Sequence, residues 1–168
     1  EREIFPKLTA ENALVGYSFD GLWVDIGKRE DYLKANMLFL DFLKTHGLNR
    51  PWVGIAKVKE PVSIAENVSI GDSTLGPYMI LGENVKVGDK VIIQNSVVFP
   101  NTVISDFAVI KGAVIGEGVH IGKCVKIMEN CIVGDGAIIK DNVALTSGVT
   151  VCPFKEVSES VFTAKCVM

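Results

Sequence analysis

The 168-residue chain is notable first for what it has little of. It has no basic excess: 17 Lys and Arg stand against 20 Asp and Glu, a net charge of −3. Phosphate affinity comes from clustered Lys and Arg, so a nucleic-acid-binding surface is excluded as its main role. No apolar run approaches the ~20 residues that span a bilayer, and the first residues lack the layout of a signal peptide. The two histidines rule out a zinc site built from three imidazoles. The four cysteines, Cys124, Cys131, Cys152 and Cys166, contain no C-x-x-C spacing. They fit free thiols in a reducing, cytoplasmic setting better than a disulfide framework.

The remaining composition is ordered and uneven. Hydrophobic residues make up 48% and charged residues 22%, which excludes a disordered chain. Of the 13 aromatics, 8 occur by Trp52, and 15 of the first 50 residues are charged. Between Val62 and Val151 there are 16 Val, 13 Ile and 11 Gly, but only three Leu. β-Branched residues punctuated by Gly favour short strands and tight turns. A boundary is therefore expected between Pro51 and Pro61.

A six-residue repeat organises the second part. With Ile64 as position one, the series runs through Ile70, Leu75, Leu81, Val87, Ile93, Phe99, Ile104 and Ile110, then Ile115, Ile121, Ile127, Val133, Ile139 and Leu145. All fifteen first positions are apolar, seven of the second positions are Gly, and ten of the fifth are Val. Three steps, at Ile70, Phe99 and Ile110, are five residues long. Positions one and five are expected to point inward. Positions two to four turn a corner, with αL-tolerant residues at position four: Asn67, Asn84, Gly118, Asn130, Gly136, Asn142 and Gly148. Three hexads close one triangular coil, so fifteen give five coils stacked at the interstrand spacing of ~4.8 Å. On this pattern Cys131 is a core residue.

Residues 62 to 156 resemble the left-handed parallel β-helix family of hexapeptide-repeat proteins. The handedness follows from the resemblance; the general crossover rule points the other way. The fold expected is mainly β, a β-helix of about five coils, preceded by a small α+β region and followed by a tail.

The first fifty residues differ. Arg29 to His46 has the pattern of a helix, with Leu33, Met37, Leu40 and Leu43 on one stripe and Tyr32, Ala35, Phe39 and Phe42 beside it. Gly47 ends it. So wide an apolar face needs cover on two sides. A shorter helix is expected near Glu3 to Leu8. The stretch from Leu14 to Asn36 suggests a hairpin whose last strand ends at Asp25, then a Gly turn into the long helix.

The segments "EREIFPKL" and "GYSFDGLWVDIGKREDYLKAN" are similar to the end of the catalytic domain of sugar-1-phosphate nucleotidyltransferases, and most of all to the mannose-1-phosphate guanylyltransferase branch with its β-helix tail. The resemblance divides the chain into a catalytic-domain remnant (1–50), a linker (51–61), the β-helix (62–156) and a tail (157–168). It implies a parent reaction of nucleoside triphosphate with sugar 1-phosphate to give nucleotide sugar and pyrophosphate, with GTP and mannose 1-phosphate as the pair. It also implies that the Asp of W-x-D-I-G, here Asp25, helps hold Mg²⁺ at the reacting phosphates. The alternative for Asp25 is a helix cap or a brace for the Gly27 turn. Lys28 stands where the family often has a hydroxyl residue.

The family's Gly-rich nucleotide loop, its E-K-P lysine segment and its first metal-binding Asp have no counterpart in this sequence. The chain is therefore expected to be a C-terminal fragment. By itself it should have no catalytic or cofactor-binding residues and no activity.

Two other classes share these features. Hexapeptide acyltransferases use the same helix with a His beside the acyl carrier. Here only His46, at a helix end, and His120, at an outward sixth position, are available, and no long loop interrupts the coils. The γ-class carbonic anhydrases are excluded by the histidine count. A non-catalytic assembly subunit, like the translation-initiation exchange-factor subunits that combine both domain types, is the other alternative. Outward Ile80, Val98 and Ile132 on one face, and Ile92 with Val109 on another, point to self-association through the β-helix, with the tail capping an end or swapping to a neighbour.

Overall fold

The structure, a computed structural model, describes residues 2–48, Trp52 and 54–168. Glu1 and two residues of the expected linker 51–61, Pro51 and Val53, lie outside the described residues. From Lys57 to Val167 the chain winds into a three-sided parallel β-solenoid. Consecutive strands pass from the first sheet to the second to the third and back, and every ladder is parallel. The first sheet runs from Lys57–Val58 to Ala144–Leu145, the second from Val62–Ile64 to Cys166–Val167, and the third from Ser69–Ile70 to Glu156–Val157.

The sheets hold six, seven and six strands, so the solenoid has six to seven coils rather than the five expected. Four strands lie beyond those of the fifteen hexads, Lys57–Val58 at one end and Thr150–Val151, Glu156–Val157 and Cys166–Val167 at the other. Lys57–Val58 pairs with Thr74–Leu75, and Cys166–Val167 pairs with Thr150–Val151. Neither carries the full hexad signature, and each is fixed by the neighbouring coil rather than by its own pattern.

Inside, the hexad reading holds almost throughout. First-position Leu75, Leu81, Ile93, Ile104, Ile110, Ile115, Ile121, Ile127, Ile139 and Leu145 are buried, as are fifth-position Val85, Val91, Val119, Val125 and Val149. Cys131 is buried in this core, as expected, and burial pushes its thiol pKa up. The seven αL positions named from sequence all have positive φ.

One hexad is displaced. Leu81 pairs in register with Val98, not Phe99, and Val98 pairs with Ile115. Val98 is therefore the inward residue, while Phe99 is 38% exposed. The short step falls between Ile93 and Val98 instead of after Phe99. In the shortened corners Ser73, Ser96 and Ala113 take the inward place, so Thr74, Val97 and Val114 turn outward. The outward stripe on the second sheet is consequently Ile80, Val97, Val114 and Ile132.

Glycines at position two have a cause that the hexad pattern did not reveal. A Cβ on Gly88 would lie 2.4 Å from Asp106 Oδ1, and one on Gly116 would lie 2.4 Å from Asp135 Oδ1. The next coil seats an Asp over four of the seven position-two glycines, Gly71, Gly88, Gly116 and Gly122, and Pro100 and Pro153 over Gly82 and Gly134. Each of the four carboxylates accepts a main-chain N–H from the coil below, as from Asp89 N to Asp106 Oδ1, 3.0 Å, and Glu117 N to Asp135 Oδ1, 2.8 Å. At those four positions the glycine gives the carboxylate room rather than supplying an unusual φ, whereas Gly76 has φ +80.

Two helices precede the solenoid, α1 (Ile4–Ala10) and α2 (Arg29–Thr45), both where the sequence places them. Glu30 and Asp31 in the first turn of α2 and Lys44 in the last complement its dipole. The hairpin expected before Asp25 is not formed: residues 13–28 contain no strand. A strand exists only where a partner completes its ladder, and none of the described residues supplies one here.

Candidate functional site

Helix α2 lies along the corner between the first and second sheets. At its start the Arg29 guanidinium donates to the main-chain carbonyls of Asn130 (2.9 Å) and Gly148 (3.3 Å). Twelve residues later, the Tyr78 hydroxyl donates to Asp41 Oδ1 at 3.1 Å. Twelve helical residues rise ~18 Å. Tyr78 lies three coils from Asn130 and four from Gly148, which is ~14–19 Å at the interstrand spacing. The lengths match, so the helix runs along the ridge against the direction of coil growth.

Tyr78, Asn130 and Gly148 all have positive φ. The left-handed corner turns the chain away from the ladder and leaves carbonyls available to Arg29. Leu33 and Met37 of α2 face Asn95, Gly112 and Asn130 across a groove of about 320 Å³, and Leu40 is completely buried. The hydrogen bond to Asp41 holds the Tyr78 phenol above its usual pKa.

This accounts for one side of the wide apolar face. The second stripe is left open: Phe39 is 49% and Phe42 38% exposed. The segment before the helix is more open still, with Tyr17, Trp23 and Ile26 all exposed.

Asp25 lies on this open segment, four positions before Arg29 and exposed. It does not cap α2: Lys28 occupies the N-cap, with no side-chain hydrogen bond. A magnesium ion takes about six oxygen ligands, and among the described residues no three His, Cys, Asp or Glu side chains gather as a metal-binding group.

The two histidines are far apart in role. His46 follows α2, its Nδ1 lying 2.8 Å from the Phe42 carbonyl and its ring against Phe42. His120 points outward on the third sheet, between Val103 and Ile138 of the adjoining coils, and is exposed.

Sequence reasoning missed Arg29 and three buried hydroxyls. Thr102 Oγ1 donates to the Gly116 carbonyl (2.8 Å) and accepts from Val119 N (3.2 Å). Ser73 and Ser96 bridge other corners similarly. The signal was present, since a hydroxyl in an inward corner place is out of character for an apolar lattice. The Arg29 contact spans 101 residues and left no local trace.

Residues 58–167 match the family model described as the GMPPB C-terminal domain. The chain belongs to this family. A similar protein is a probable mannose-1-phosphate guanylyltransferase 3 of Oryza sativa subsp. japonica, 35% identical over 78 residues, covering 46% of this chain and 21% of that protein. A mannose-1-phosphate guanyltransferase of Schizosaccharomyces pombe is 35% identical over 46 residues, 27% of this chain and 13% of that protein. The GMPPB C-terminal-domain chain thus aligns with about a fifth or less of these relatives' length. In fold it is similar to a hexapeptide transferase family protein from Anaplasma phagocytophilum, with TM-score 0.57 and 23% identity over 66% of this chain and 68% of that one. Among the described residues no helix is long and apolar enough to cross a membrane.

Proposed function

We propose that the chain is the C-terminal part of a mannose-1-phosphate guanylyltransferase, and that the whole protein joins GTP to mannose 1-phosphate with release of pyrophosphate. The match of residues 58–167 to the guanylyltransferase-associated domain carries this reading. The solenoid acts as a scaffold. Through Arg29 and Asp41 it fixes α2, and α2 fixes the direction in which the Asp25 segment leaves. The exposed face of Tyr17, Trp23, Phe39 and Phe42 is the side turned to the rest of the transferase domain. In the whole protein Asp25 contributes one carboxylate to the Mg²⁺ that neutralises charge on the reacting phosphates; the isolated chain is inactive. Location in the cytoplasm and the absence of a nucleic-acid partner belong to the same proposal, supported by the net charge of −3.

The experiment is a pyrophosphate-release assay on the whole protein across nucleotide and sugar-phosphate pairs. Highest turnover with GTP and mannose 1-phosphate is expected; no turnover with that pair overturns the reading.

The solenoid is also proposed to self-associate. Among the described residues its end strands, such as Lys57–Val58 and Glu156–Val157, each have a neighbour on one side only, and unpaired edges invite association. Light scattering of residues 1–168 should give a mass above the 18.2 kDa of one chain; a monomer at high concentration contradicts it.

A further inference from the structure

Two thiols that are far apart in the hexad pattern meet at the end of the solenoid. Cys152 Sγ and Cys166 Sγ are 3.5 Å apart. Cys166 lies opposite Thr150 in the last ladder, and Cys152 follows two residues after Thr150 on the coil beneath. Cys166 is exposed and Cys152 half-buried, so an oxidant in solution reaches the first and the second lies behind it.

The strand they flank is a weak point. Cys166–Val167 is held to Thr150–Val151 by a two-residue ladder, through Thr150 N to Lys165 O and Cys152 N to Val167 O, both 2.9 Å. It covers the end of the core, where Val151 is 1% and Val161 7% exposed, while Phe162 and Met168 around it are exposed. A terminal strand of this kind frays unless something ties it down.

We infer that Cys152 and Cys166 form a reversible disulfide that latches the last coil onto the solenoid when the surroundings become oxidising. A disulfide is about 2.05 Å long, so the sulfurs must close by about 1.5 Å, a movement within the reach of a two-residue terminal strand. With oxidised glutathione as the oxidant, the Cys166 thiolate attacks one glutathione sulfur. The glutathione S–S bond breaks, one glutathione thiolate leaves, and Cys166 carries a mixed disulfide. The Cys152 thiolate then attacks Cys166 Sγ and expels the second glutathione thiolate. The two protein thiols are oxidised, one glutathione disulfide is reduced to two thiols, and the two cysteine protons end on them.

The other cysteines serve as internal controls. Cys124 is exposed with no second cysteine in hydrogen-bond contact among the described residues, and Cys131 is buried.

The test uses the intact protein. It is reduced, freed of reductant, incubated with oxidised glutathione, blocked with N-ethylmaleimide and digested with trypsin without reductant. Mass spectrometry should find the peptide holding Cys152 joined to the peptide that begins at Cys166, with glutathione retained on Cys124. Amide exchange at Thr150 and Cys152 should slow by at least about tenfold on oxidation. In Cys166→Ser, Cys152 should keep glutathione or remain free. Separate glutathione adducts on both cysteines of the unaltered protein, disulfides between chains, or a Cys152–Cys166 bond that leaves amide exchange unchanged would each overturn the latch.

Discussion

The Arg29 guanidinium donates to the carbonyl of Asn130, 101 residues further along the chain. That bond ties the helix beside the open N-terminal segment to the middle of the solenoid. Charge-assisted hydrogen bonds contribute about 1.5–3 kcal/mol. Arg29→Met keeps the stem of the side chain and removes the donors. It should destabilise the docking of α2 by about 2 kcal/mol, read as faster amide exchange through Tyr32–Met37, with the solenoid's own amides unchanged.

Glycines of two kinds should respond differently to substitution. Gly116→Ala places a Cβ 2.4 Å from Asp135 Oδ1 and 2.8 Å from Asp135 N, so the coils must part. The expected cost is about 2–4 kcal/mol in denaturant unfolding. Gly118 has φ +63 and open space around its Cβ position. Gly118→Asn should cost a few tenths of a kcal/mol and Gly118→Ala about 1 kcal/mol.

Thr102→Val preserves shape and deletes the bridge. The carbonyl of Gly116 loses the Thr102 hydroxyl and Val119 N loses an acceptor inside the solenoid. Leaving such groups unsatisfied costs about 1–3 kcal/mol, so the denaturation midpoint should fall with the m-value unchanged.

The Tyr78–Asp41 contact gives a pH dependence of definite sign. The phenol pKa is raised in the folded protein because the neutral hydroxyl donates to the Asp41 carboxylate. Its contribution to stability is complete below the unfolded-state value of about 10 and is lost as pH rises through the folded-state value. An ultraviolet titration should show the Tyr78 midpoint moving down toward about 10 in Asp41→Asn. An unchanged midpoint would show that Asp41 is not the cause.

The solenoid was legible because its determinants repeat. Ile110, Ile127 and Leu145 are apolar for one reason in successive coils, and a six-residue period exposes it. The αL corners were legible at the seven Asn and Gly of position four, but not at Lys90, Phe107, Cys124 or Phe154, whose side chains do not favour positive φ, nor at Asn95, Asn101 and Gly112, where a short or displaced hexad moves the corner. The shift from Phe99 to Val98 escaped because both residues are apolar; only pairing with Leu81 and Ile115 decides between them. The hairpin before Asp25 failed for a different reason. Its sequence favours strands, but strand formation depends on a partner. Asp25 itself was found through family resemblance, and nothing in its exposed surroundings marks it as special.

The most direct test of the central claim is pyrophosphate release from GTP and mannose 1-phosphate by three proteins: the whole enzyme, the whole enzyme with Asp25→Asn, and residues 1–168 alone. The account predicts turnover by the first, a loss of at least about tenfold in the second despite an unchanged melting temperature, and none in the third. Turnover by residues 1–168, or undiminished turnover in Asp25→Asn, would contradict it.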